Sequence, residues 1–262
     1  MKQKELTKFL QENYPESLAS SFDLGKIGLQ FGSEDKEISK VMITLDATKD
    51  VIDEALENKW DLIISHHPFM FNPMLSLNYD SIFGKKILKV LDNRLNLYSL
   101  HTNFDTAIDG MNYLLANKLG LLNISAETDE INQSSFIRTG EITPMKLIDF
   151  VKYTSVCLEE DFVKFIGDPN KIIKKVGIVG GSGTSEFRVA RNTSCDCFIT
   201  GEIKHNIALD TIDYDFSMIE VSHFVEALFK EPFMEKLKKA FPNIEFILSK
   251  KDTNPFSYYV KK

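Results

Sequence analysis

Cysteine is scarce in this chain: Cys157, Cys195 and Cys197 are the only three among 262 residues. That scarcity excludes the disulfide framework of a small secreted protein. Cys195 and Cys197 stand two apart in SCDCFIT, which strand geometry puts on one face; buried free thiols are the expected state, ahead of a metal or redox role. Long apolar runs are missing as well. No stretch approaches the roughly 18 apolar residues of a membrane span, and the basic start, MKQKELTKFLQENYPESLA, does not continue into the apolar core of a secretory signal. A cytoplasmic protein is the expectation, with no membrane partner. A basic block is absent too: 31 basic residues face 38 acidic ones, for a formal charge of -7 and a pI near 5.4. This balance argues against nonspecific binding to nucleic acid, while a small nucleotide stays admissible because a metal or a few amides can supply a local positive field.

Two nucleotide signatures are also lacking. GIVGGSGTSE at 177–186 does not contain GxxxxGK[ST], and its GxGxxG pattern is incomplete. A tight turn that lets strand and helix pack is the first reading, and contact of an anion with the amides of Gly180, Gly181 and Gly183 the second.

What is present is an ordinary globular composition, 43% apolar and 26% charged, in a chain long enough for one large domain or, preferably, two. An opening helix uses Leu6, Phe9 and Leu10 as its inner face and is limited by Pro15. SFDLGKIGLQFG follows as a glycine-punctuated loop or short strand that can pass close to a site. Then KVMITL reads as a strand ending at Asp46, DVIDEALENK as a helix, DLIIS as a strand ending at His66 and His67, IFGKKILKVLDN as a helix, and NLYSL as a strand ending at His101 before TNFD. A β-α-β-α-β order with crossovers of this length implies parallel neighbours. Sites in such sheets form outside the carboxyl ends of the strands.

After the helix AIDGMNYLLANKLG, the polar segment NISAETDEINQSS is the candidate boundary. A second pass repeats the order of elements: FIRTG, FVKFIG and KKVGIVG as strands, PMKLIDFVKY as a helix, SCDCFIT leading to Gly201 and Glu202, SMIEV leading to His223, FVEALFKEPFMEKLKKAF as one helix, and NIEFILS as a last strand. Internal duplication is the inference.

His66, His67, Asp105, His223 and Glu226 form the candidate metal ligands. Imidazoles beside carboxylates suit a hard or borderline divalent ion. Five donors suit two ions sharing a bridge better than one structural zinc. The competing reading is that the adjacent histidines cap a strand and His223 donates to a helix end. Asp46 is either the acceptor behind a ligand histidine or, with Thr48, a helix cap. His101 is a candidate general acid or base against a purely structural role. Glu202 and His205 make an ExxH pair at the equivalent strand edge of the second half, and Glu202 ranks above the cysteines as a site residue.

Taken together, SFDLGKIGLQFG, LDAT, DLIISHHP, SLHTNFD, TGEIKH and the final SH…E resemble the GTP cyclohydrolase 1 type 2 homologue family, the dinuclear-metal-binding DUF34 group. The resemblance spans nearly the whole chain. It implies an α/β fold of two similar intertwined units with mixed, mostly parallel sheets and a metal site at strand carboxyl ends between them. The first unit is expected over 1–125, completed by 228–262, and the second over 126–227. It further implies a metal centre on His66, His67, Asp105, His223 and Glu226, with Glu226 bridging two divalent ions per subunit (zinc, iron, manganese or nickel), and a toroidal homohexamer. The family's GHxxxE is SHFVE here, with Ser222 for glycine and one intervening residue fewer. The activity implied is hydrolysis or cyclohydrolysis of a nucleotide or related phosphate-containing substrate by metal-activated water, with His101 or Glu202 managing protons. The alternative is a metal-binding scaffold, metallochaperone or regulatory adaptor without turnover.

Overall fold

The computed structural model of the chain describes residues 1–128 and 136–259; most of the polar segment offered above as a boundary, 129–135, lies outside them. The chain opens with α1 (Gln3–Asn13), β1 (Gly28–Phe31), β2 (Lys40–Thr44), α2 (Lys49–Glu57), β3 (Leu62–Ser65), α3 (Ile82–Asp92), β4 (Asn96–Ser99) and α4 (Thr102–Thr106). It continues with α5 (Met111–Lys118), β5 (Leu122–Ala126), β6 (Arg138–Lys146), α6 (Leu147–Cys157), β7 (Lys164–Ile166), β8 (Ile172–Ile178), α7 (Phe187–Asn192), β9 (Cys197–Thr200), α8 (His205–Asp213) and β10 (Ser217–Glu220). A 3-10 segment, His223–Phe229, leads into α9 (Lys230–Ala240) and β11 (Glu245–Leu248). No helix among the described residues is long and apolar enough to cross a membrane.

Two compact units result: Met1–Phe104 with Phe229–Asn254, and Asp105–Leu228 with Pro255–Lys262. The division falls ahead of α5 and β5, which the sequence grouping assigned to the first unit. In the first unit the sheet order is β1-β4-β3-β2-β11. Pairing is parallel from β11 through β4, and β1 closes the far edge antiparallel to β4. Every residue of β3 and β4 is buried, as continuous runs such as LIIS require in a parallel sheet covered on both faces. Met42, Ile63 and Leu97 meet Val51, Ile52 and Ala55 of α2 and Ile87 and Val90 of α3 in one core.

The second sheet runs β5-β6-β8-β9-β10-β7. Its centre, β8-β9-β10, is parallel and its flanks antiparallel. Thus β8-α7-β9-α8-β10 repeats the plan of β2-α2-β3-α3-β4, including an antiparallel strand beside the last parallel one. The core on one face gathers Ile137, Phe187, Ala190, Phe198, Phe216 and Met218.

Several element boundaries differ from the sequence reading: the helix read from Ala107 begins at Met111, and β5 takes up the start of the segment read as a boundary. PMK belongs to β6, because Met145 and Lys146 pair with Ile173 and Ile172 after an irregularity in register; Pro144 sits within that irregular stretch, where a missing N–H is tolerated. The run from Phe224 to Phe241 is not one helix: its first turns are 3-10 and α9 begins at Lys230.

Candidate metal centre

In the first unit three histidines meet beyond the carboxyl ends of β3 and β4. One nitrogen from each of His66, His67 and His101 can be chosen so that all lie within 4.8 Å of one another. The ladder to β2 continues past β3, with His66 N donating to Thr44 O (3.3 Å) and His67 N to Leu45 O (3.0 Å). Ser65 Oγ then donates to the His67 carbonyl (2.8 Å), and Ser99 Oγ donates to Gln30 Oε1 (3.0 Å). A polar layer therefore fixes the two strand ends under the rings. His66 is only 1% exposed and lies between Phe104 and Phe229, with ring centroids 6.2 and 5.6 Å away.

Two of the three rings have a carboxylate behind them. His67 Nδ1 is 2.7 Å from Asp46 Oδ1, and His101 Nδ1 is 2.6 Å from Asp23 Oδ2. A carboxylate at Nδ1 selects the tautomer protonated there, leaving the Nε2 lone pair for a metal or a proton. Thr48, not Asp46, caps α2 by accepting from Val51 N (3.3 Å). Asp23 is fully buried. Burial opposes its ionisation, but hydrogen bonding and charge from His101, with the Thr102 hydroxyl and amide, outweigh this and hold the carboxyl below its ordinary range. Sequence reasoning missed Asp23. Its signal was a lone carboxylate in the loop SFDLGKIG, already singled out as passing near a site.

The second unit holds a set of its own. His223 Nε2 lies 3.3 Å from Glu226 Oε2, while His223 Nδ1 is held by Glu202 Oε1 at 2.7 Å. The shortened SHFVE spacing is accommodated by helix type. In a 3-10 helix residues i and i+3 eclipse, so His223 and Glu226 share a face without the residue an α-helical turn would need. Glu226 is buried against the glycine turn. A Cβ on Gly180 would stand 3.1 Å from Glu226 Oε1, and one on Gly181 (φ +56°) only 2.5 Å from it. Two of the three glycine amides are engaged within the unit, Gly180 N donating to Asn112 Oδ1 (2.8 Å) and Gly183 N to Thr200 Oγ1 (3.0 Å), and Gly181 O accepts from Gly201 N (2.8 Å). Close approach to Glu226 and His223, rather than a phosphate cradle, is what these glycines permit.

Asp105 is the first residue of this unit. Just past it, buried Arg138 donates through Nη2 to the carbonyls of Thr106 (2.7 Å) and Ala107 (2.8 Å). Burial pulls the Arg138 pKa down, and the nearby Asp105 charge opposes that fall. Glu160 Oε2 accepts from Ser222 N (3.0 Å), fixing the residue before His223; burial raises the Glu160 pKa. Neither Arg138 nor Glu160 was visible as a site residue, since each acts on backbone distant in sequence. His205 is exposed at the start of α8. Cys195 and Cys197 are buried free thiols, with burial pushing the Cys195 pKa up to about 11.

Imidazole nitrogens with fixed tautomers in one unit and a paired imidazole and carboxylate in the other are the donors a borderline divalent ion prefers. A family model described as Duf34/NIF3 (NGG1p interacting factor 3) matches residues 1–255. A Clostridium perfringens protein named GTP cyclohydrolase 1 type 2 homolog is 31% identical over 268 aligned residues, covering 98% of this chain and 100% of the relative. A Clostridium acetobutylicum protein of the same name is 33% identical over 231 residues, covering 86% of this chain and 84% of the relative. Among solved structures, a hypothetical protein from Staphylococcus aureus superposes with a TM-score of 0.91 at 32% identity, covering 99% of each chain.

Proposed function

Because the chain belongs to the DUF34/NIF3 family, we propose that it binds divalent metal and uses it to hydrolyse, or open the ring of, a nucleotide or related phosphate-containing substrate. His66, His67, Asp105, His223 and Glu226 hold one or two ions in this reading. The observation that carries it is the three-histidine cluster with carboxylates behind two of its rings, an arrangement that orients ligands at metal sites. The donors of the second unit are added on family grounds, with His223 and Glu226 paired within their own unit.

A divalent ion held by this set supplies Lewis-acid polarisation and an acidified water, the two needs of hydrolysis at neutral pH. His101, held through Nδ1 by Asp23, offers Nε2 as the proton-handling atom. Glu202 is a positioning residue, turning His223 so that Nε2 faces Glu226. GTP is the substrate suggested by the relatives' name, and zinc, iron, manganese and nickel all suit the donors. A homohexameric ring belongs to this reading on family grounds alone.

The test is metal content per subunit by elemental analysis of parent and Asp105→Ala protein purified without added metal, followed by nucleotide turnover with and without chelator. About two ions in the parent, a clear loss in the variant, and chelator-sensitive turnover are expected. Turnover that survives full metal removal would overturn the hydrolytic mechanism. Metal binding without turnover of any nucleotide would leave a scaffold, metallochaperone or adaptor instead.

A further inference from the structure

The second unit holds a cavity of about 340 Å³ beyond the carboxyl ends of β9 and β10, within the range of small-molecule sites. One wall is aromatic. Phe162 and Tyr258 stack with centroids 5.4 Å apart at 24°, yet remain 44% and 52% exposed, and Phe256 adds a third ring to the lining. Such a plate matches a planar ring, since base–aromatic stacking is favourable for any flat π-system.

The polar lining narrows the choice. Lys164 is ion-paired with Glu220, and Glu202 adds a second carboxylate. One ammonium against two carboxylates leaves the lining negative, so it repels a phosphate and favours hydrogen-bond donors. Glu220 is engaged through both oxygens, by Lys164 and by Ile203 N (3.0 Å), whereas Glu202 is bound to His223 through Oε1 alone and its side chain is 54% exposed, so Glu202 is the lining carboxylate with acceptor capacity for an occupant. A guanine ring presents a ring N–H beside an exocyclic amine. An adenine ring presents a lone pair at the corresponding ring nitrogen, which a carboxylate repels.

We propose that this cavity is the base-binding subsite for a guanine nucleotide, with the base against Phe162 and Tyr258 and its donor edge toward Glu202. His223 also lines the cavity, so a base seated there leaves the remainder of the nucleotide beside the His223–Glu226 pair. The proposal deepens the nucleotide reading and rests on it.

The experiment titrates the full chain calorimetrically with guanosine and with adenosine, which carry no phosphate, before and after metal stripping, with metal content measured on the same samples. Guanosine is expected to bind both forms, adenosine at least tenfold more weakly. Tyr258→Leu and Phe162→Leu are each expected to weaken guanosine about tenfold while metal content stays parental. Equal binding of the two nucleosides, parental affinity in both variants, or no guanosine binding at millimolar nucleoside would overturn the subsite. Guanosine binding in protein that cannot be loaded with metal would sink the metal reading alone, and full metal content without guanosine binding would sink the subsite alone.

Discussion

Gly181→Ala tests whether the glycine turn exists to admit Glu226. The new methyl meets two obstacles. At φ +56° an alanine costs about 1–2 kcal/mol relative to glycine from the backbone alone. Its Cβ would also stand 2.5 Å from Glu226 Oε1 and 3.3 Å from His223 Nε2. The turn cannot easily retreat, because Gly181 O is held by Gly201 N at 2.8 Å and by Thr200 Oγ1 at 3.2 Å. To restore even a tight contact of about 3.0 Å, the Glu226 oxygen must move by about half an ångström, beyond the ±0.2 Å within which a metal–ligand distance is usually held. Loss of bound metal is therefore expected together with a fall in Tm of about 2–8 °C.

Gly25→Ala separates the two effects. Gly25 also has a left-handed backbone (φ +78°), but nothing lies within 4 Å of its Cβ position. The same backbone cost and a similar fall in Tm are expected there, with parental metal content. Elemental analysis and thermal unfolding of the three proteins decide the matter. Parental metal in Gly181→Ala, or an equal loss in Gly25→Ala, would refute the reasoning.

Two further substitutions probe buried residues that support the site. Because the folded pKa of Asp23 is depressed, its stabilising contribution is present above the ordinary value near 3.8 and lost as pH falls through the folded value. Asp23→Asn should cost about 1–3 kcal/mol at pH 7, and urea unfolding should show the gap to parent narrowing below about pH 4; an unchanged gap in acid would contradict the ionised pairing. Arg138→Met removes the donors to Thr106 and Ala107 carbonyls and should cost roughly 3 kcal/mol by the same assay, with reduced metal content through the loosened end of α4. A change below about 0.5 kcal/mol, the range of ordinary surface substitutions, would show those contacts to be dispensable.

The parallel centre of the first sheet was legible because its strands are short apolar runs separated by helices of amphipathic spacing, whereas in the second sheet only the strands were legible and the short crossover helices α7 and α8 were not. The histidines at the ends of β3 and β4 followed from that topology. Local pattern stops being informative where distant backbone decides. β6 continues through Pro144 because β8 supplies partners for Met145 and Lys146. The 3-10 start of the Phe224–Phe241 run is equally hidden, since its apolar spacing suits either helix. Asp23 and His101 are 78 positions apart, and nothing near either residue announces the other. For Asp46 and Thr48 the residue types permitted both roles, and geometry assigned one to each: Thr48 caps α2 and Asp46 meets His67.

The pairing of β11 with β2 has a consequence for biosynthesis. β2 leaves the ribosome long before its outer neighbour, Glu245–Leu248, with every other strand of both sheets but β1 made in between. Through the interval the apolar strand formed by Val41, Met42 and Ile43 keeps one row of backbone donors and acceptors open, the kind of edge on which nascent chains pair with one another. A chain halted before β11 is thus a sticky species rather than a smaller working protein, and chaperone demand should persist until β11 has emerged.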